Sequence, residues 1–169
     1  MNIVGAINSP GPVIPENLTT HIKIRTCCQL SIKELTVLKL VIDSISDYIQ
    51  THPIQKFALC IIVFTDQNQL TLQQEEHILG QSLPLTTIWM KQIRCMKNYT
   101  NVLFPLVLTE EICHTLFQEY NEYKVKEMVF DILQPHLGGI KLHSTYPTMF
   151  DENGHRIPDP DYPIEWLSD

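Results

Sequence analysis

Apolar residues fall at helical spacing in one long block. Leu35, Leu38, Ile42, Ile45 and Ile49 lie three and four apart, a single stripe about four turns long. Ser31 precedes the stripe and Glu34 follows three residues later, the pairing of a capping box, while His52-Pro53 denies the helix a continuation. Before it, residues 21–30 alternate, with Ile22, Ile24, Thr26 and Cys28 on one face and Lys23, Arg25 and Cys27 on the other, which predicts a strand. After it, residues 57–64 form a continuous apolar run, β-branched and aromatic. The turn residues Thr65-Asp66-Gln67-Asn68 favour a strand buried on both faces over a short core helix.

A second helix is expected from Thr71, capped through Gln74, with Glu75 and Glu76 in its first turn and an end near Leu83-Pro84. Residues 85–94 and 102–108 read as strands, the latter at an edge or bulge because of Pro105. Thr109 then caps a third helix, with Glu110 and Glu111 in its first turn. That helix runs, unbroken or slightly broken, through Ile112, Leu116, Phe117, Tyr120, Met128, Ile132 and Leu133 to Pro135 and Gly138-Gly139. Residues 140–143 return as a short strand. The predicted order β-α-β-α-β-β-α-β defines an α+β fold, a single mixed sheet with three helices. Residues 1–18 form an extended lead-in, 19–143 the domain and 144–169 a tail.

Composition bounds the function. The chain has 169 residues, 44% hydrophobic and 18% charged, which fits one globular domain. Its net charge of −7 is uneven, because residues 144–169 carry six carboxylates against Arg156 alone and so hold −5 of it. The remainder is near neutral and has no basic block, so a nucleic-acid partner is not expected. No run approaches the roughly 18 apolar residues of a membrane span. Met1-Asn2-Ile3-Val4-Gly5 shows no secretory pattern, and five cysteines without framework spacing suit a reducing compartment, so the expected location is cytoplasmic.

Candidate chemistry is sparse. The seven histidines show no metal spacing, the adjacent Cys27-Cys28 do not form a chelating pair, and neither a cofactor nor a metal is expected. His136 and His143 flank the Gly138-Gly139 turn and could converge, although two surface histidines near a loop are expected; Cys113 neighbours His114, but a thiol dyad needs proximity in space rather than in sequence, so the pair carries no weight. Cys28, at a strand end before a helix, is the thiol best placed for a lowered pKa, although a structural role is expected. Asp151-x-Asn153-Gly154 reads as a tight turn rather than a calcium loop, since the 12-residue ligand pattern is absent.

Binding chemistry concentrates in the tail. Pro147, Pro158, Pro160 and Pro163 exclude regular ladders there, yet it keeps Tyr146, Phe150, Tyr162, Trp166 and Leu167. The candidate binding residues are Tyr146, Tyr162, Pro163, Trp166 and Leu167, types that anchor interfaces, and they serve either a partner or the chain's own body. Tyr162-Pro163-Ile164-Glu165-Trp166-Leu167 resembles the Tyr-Pro-x₃-Leu late-budding motif of viral structural proteins. The arrangement over residues 21–68, a strand (Ile22 to Arg25), an amphipathic helix (Leu35 to Ile49) and an apolar stretch (Phe57 to Phe64), resembles the matrix proteins of rhabdoviruses. That resemblance implies a virion protein that self-associates and bridges nucleocapsid and envelope. The chain is acidic where those proteins are basic, so a membrane is expected only as a peripheral contact. The expected function is that of a non-enzymatic structural or interaction protein binding a protein partner or itself. An inhibitor or immunity-type protein that covers a basic partner with its acidic surface is the alternative. A small enzyme built on Cys28, His114 or His136 is a third class.

Overall fold

The computed structural model describes residues 2–7, 11–73, 84–138 and 140–158. Its centre is a three-stranded sheet of β2 (Ile22–Thr26), β3 (Cys60–Thr65) and β5 (Leu85–Trp89), with helix α1 (Ile32–Tyr48) crossing from β2 to β3. The architecture is α+β. The sheet is parallel throughout rather than mixed, in the order β2-β3-β5, with Ile24 beside Ile62 and Ile62 beside Thr86. A separate antiparallel pair joins β1 (Asn2–Ile3) to β4 (Leu72–Gln73). A 3-10 turn at Glu16–Leu18 and helices α2 (Met90–Arg94), α3 (Leu103–Leu116), α4 (Glu122–Leu133) and α5 (Leu142–Thr145) complete the described elements.

Strand β3 is buried along nearly its whole length, as a continuous apolar run requires of a central parallel strand. It begins three residues later than the run does, because Phe57 stands outside it, 89% exposed. Ile22, Ile24, Thr26, Cys60, Ile62, Phe64, Thr86 and Ile88 share the face on which the helices lie, where Phe64 meets Phe104 of α3 edge-on at 6.2 Å. The capping box of α1 is complete: Glu34 N–H donates to Ser31 Oγ at 3.3 Å, and Ser31 N–H donates to the Glu34 carboxylate at 2.6 Å. Leu38, Ile42 and Ile45 of its stripe are fully buried.

Four expectations fail, each for a local reason. Residues 102–108 are not a strand, because Pro105 lies in the first turn of α3, where its missing N–H costs nothing. Thr109 therefore does not cap a helix; it is buried within one and donates its hydroxyl to the Pro105 carbonyl at 2.8 Å. Glu110 and Glu111 accordingly sit mid-helix. The third helix is two: Gln118 takes φ 56°, and Asn121 starts α4 by accepting the Lys124 N–H at 3.2 Å. Residues 140–143 pass into a short helix, α5, instead of a strand. Two boundaries also move. Strand β5 stops at Trp89 and residues 90–94 wind into α2, while Leu72–Gln73, expected in a helix, pair with β1. The rest of that expected second helix, residues 74–83, lies outside the described residues.

From residue 144 to 158 the chain packs along α4. Phe150 is fully buried and meets Tyr123 edge-on at 5.8 Å. Arg156 grips the Glu127 carboxylate with two bonds, 2.9 and 2.7 Å, and the Tyr123 hydroxyl donates to the Ile157 carbonyl at 2.5 Å. Asp151 to Gly154 form the tight turn, with Gly154 at φ 81° and the Asp151 carboxylate accepting the Asn153 and His155 N–H groups. Among the described residues no helix is long and apolar enough to cross a membrane.

Candidate functional site

Parallel sheets gather polar groups where their strands end, since the loops leaving the carboxyl edge converge there. The segments that follow β2, β3 and β5 bring Glu34, Asp66 and Arg94 to that edge. Arg94 Nε and Nη2 donate to the two oxygens of Glu34 at 2.7 and 2.9 Å. Its Nη1 donates to both oxygens of Asp66 at 2.9 and 2.7 Å, and Nη2 also reaches the Gln29 carbonyl at 2.8 Å. These five bonds match the five N–H groups of a guanidinium. Nothing remains to offer a ligand.

Glu34 is fully buried, and Tyr99 donates its hydroxyl to it at 2.7 Å. Burial alone raises a carboxyl pKa; here the bonds from Arg94, the Ser31 N–H and Tyr99 outweigh it and hold Glu34 down to about 2. The same two carboxylates act on Cys28. Burial, then the charge of Asp66, push that thiol up to about 11, so the thiol best placed in the sequence for a lowered pKa, and expected to be structural, is a poor nucleophile at neutral pH. Of the other thiols, burial raises Cys60 to about 11 and raises the fully buried Cys113 as well. All five cysteines are unpaired.

A second cluster joins α3 to α4. Glu110, His114 and Glu122 place one ligand atom each within 4.8 Å of one another. The His114 Nδ1 faces the Glu119 carbonyl at 2.8 Å, and its Nε2 lies 3.5 Å from Glu122. The Lys126 ammonium pairs with Glu110 and lies 3.4 Å from Glu122, so the carboxylates already share a cation, which a metal ion would have to displace. Glu110, expected to serve a helix dipole, serves this bridge instead. Cys113 points into the core and forms no dyad with its neighbour. His143 Nδ1 faces the Phe150 carbonyl at 3.1 Å, and His136 is exposed.

Among the described residues, nothing closes the amino edge of the sheet. A groove of about 370 Å³ lies there, lined by Phe57, Leu59, Pro84, Leu85, His114 and Tyr120 among others. Phe57 and Tyr120 are 89% and 77% exposed. The Lys56 ammonium lies 5.7 Å over the Phe57 ring. No family model, curated protein or solved structure matches this chain.

The expected binding residues divide. Tyr162, Pro163, Trp166 and Leu167 lie outside the described residues. Tyr146 sits with its ring 5.4 Å below the Lys126 ammonium, its hydroxyl buried and without a hydrogen-bond partner. Burial, then the charge of Glu110, raise its pKa. Sequence reasoning missed Asp66, Arg94 and Tyr99, as well as Phe57 and Tyr120. A usable signal existed for the first group: Asp66 follows a buried strand directly and Glu34 opens the helix after another, both carboxyl-edge positions. Phe57 was concealed inside an apolar run, and Tyr120 was counted on a helix face.

Proposed function

We propose that this chain is a non-catalytic structural protein that self-associates, with the Phe57–Tyr120 groove as its contact surface. One observation carries the reading: two large aromatic side chains stand almost free of the body on the same groove. An exposed Phe contributes nothing to its own fold, whereas aromatic anchors dominate the energy of protein interfaces. The carboxyl edge supports the non-catalytic part. Its arginine is saturated, its buried carboxylate is held ionised, and its thiol is held protonated, which leaves no group poised to exchange a proton near pH 7. Self-association is the form of binding that the matrix-type arrangement of residues 21–68 implies.

Sedimentation velocity over a concentration series tests this. The average sedimentation coefficient should rise with concentration, and rise further with added salt, because a chain of charge −7 repels its copies. The double substitution Phe57→Ser/Tyr120→Ser should shift that rise at least tenfold in concentration. A monomer at every concentration and salt level overturns the reading.

A further inference from the structure

The groups joined between α3 and α4 are placed as metal ligands are. Glu110 and His114 are four apart in α3, so they share one face of that helix, and Glu122 opens α4 beyond the break at Gln118. The histidines lack metal spacing among themselves, and the set forms only because the second helix folds back on the first. Each residue offers one ligand atom within 4.8 Å of the other two. A tetrahedral zinc ion sets its ligand atoms about 3.3 Å apart. Rotation of the two glutamate side chains, 22% and 44% exposed, closes that difference.

The orientation of His114 points the same way. Its Nδ1 lies 2.8 Å from the Glu119 carbonyl, which can only accept, so Nδ1 carries the proton and the neutral ring keeps its lone pair on Nε2. A ligating histidine is held in this manner, with its other nitrogen bonded to a carbonyl outside the metal's own ligands. Nε2 in turn faces the Glu122 carboxylate at 3.5 Å. In the neutral ring these are two acceptors, and two acceptors face one another stably only through a cation.

A cation already stands beside that gap. Lys126, one turn further along α4, pairs its ammonium with Glu110 and lies 3.4 Å from Glu122. Its single charge leaves the two carboxylates with an excess of −1, which a divalent ion would cancel. The displaced ammonium has a second partner at hand. It stands 5.4 Å from the centre of the Tyr146 ring, whose buried hydroxyl has no hydrogen-bond partner. A lysine turned from Glu110 toward that hydroxyl would give its oxygen a donor.

We propose that Glu110, His114 and Glu122 bind one Zn²⁺ ion per chain, with Lys126 as the resident competitor that the ion displaces. One imidazole and two carboxylates suit zinc better than calcium or magnesium, which take oxygen ligands. Three protein ligands leave the fourth position to water. The ion ties α3 to α4 across the break between them. This site does not depend on the self-association reading of the groove.

The test is calorimetric titration of the full chain, stripped with EDTA, with Zn²⁺, and a parallel titration with Co²⁺ as a spectroscopic stand-in. One ion per chain should bind, with the same stoichiometry at low and high protein concentration. His114→Gln and Glu122→Gln, each with an unchanged circular dichroism spectrum, should weaken binding by about tenfold or more. Lys126→Met should do the opposite and tighten it severalfold, a gain that an adventitious surface site does not predict. Zn²⁺ should raise the thermal unfolding midpoint of the parent and leave that of His114→Gln unmoved. Bound Co²⁺ should show the visible bands of a tetrahedral nitrogen and oxygen site. Absence of binding in the parent overturns the proposal, as do titrations that His114→Gln and Glu122→Gln leave unchanged. A strong thiolate charge-transfer band overturns it too, because it assigns the ion to the cysteines. One ion per two chains overturns the single-chain site.

Discussion

The two edges of the central sheet are built to opposite ends. At the carboxyl edge, three consecutive segments converge on one guanidinium, and every donor it has is consumed inside the protein. At the amino edge, two aromatic rings are left facing water. Buried charge is expensive unless fully paired, so the first edge is a place where the fold is held. Exposed aromatic surface contributes little to folding, so the second edge holds surface that the fold does not use, and the proposed self-association draws on it.

The contrast breaks most severely if Arg94 is removed. Arg94→Ala leaves the fully buried Glu34 carboxylate without its counter-charge, and urea denaturation should show a loss of about 3–5 kcal/mol. An effect below 1 kcal/mol would mean that the edge is held by other groups. Acid titration sharpens the same point. Glu34 is ionised in the folded chain down to a pKa of about 2, below its ordinary 4.5, so its contribution is complete above about 4.5. It is then lost as pH falls toward 2, a total of about 3 kcal/mol. Glu34→Gln should remove that slope from the stability profile, whatever it does to stability at pH 7. The smallest effect belongs to the open edge: Phe57→Ser and Tyr120→Ser should each change unfolding stability by no more than about 0.5 kcal/mol. A large loss there would make the aromatics part of the core and erase the distinction.

How far these edges were legible in the chain depended on whether the deciding interaction was local. Ser31 and Glu34 lie three apart, so the start of α1 could be read directly, and the apolar run of β3 announced its burial. The α3 boundary could not be read the same way. Pro105 is compatible with a strand edge and with a first helical turn, and the choice was made by packing of Phe104 and Leu108 into the core. The break at Gln118 rests on one positive φ at a residue type that does not advertise it. The carboxyl-edge cluster joins residues 28 and 60 positions apart, a separation at which spacing carries no information. The second role of Glu34 was therefore hidden behind its first.

The parallel register has a consequence in time. Ile22 lies beside Cys60, and Ile61 beside Leu85, so no two strands of the central sheet can meet through a short hairpin. Each pairing must wait for a long loop to close, which places the chain among the slower folders of its size. Helix α1, with its own cap and stripe, can form on local contacts alone. Until the sheet closes over it, Leu38, Ile42 and Ile45 stand exposed, and in that interval the nascent chain is most vulnerable to aggregation.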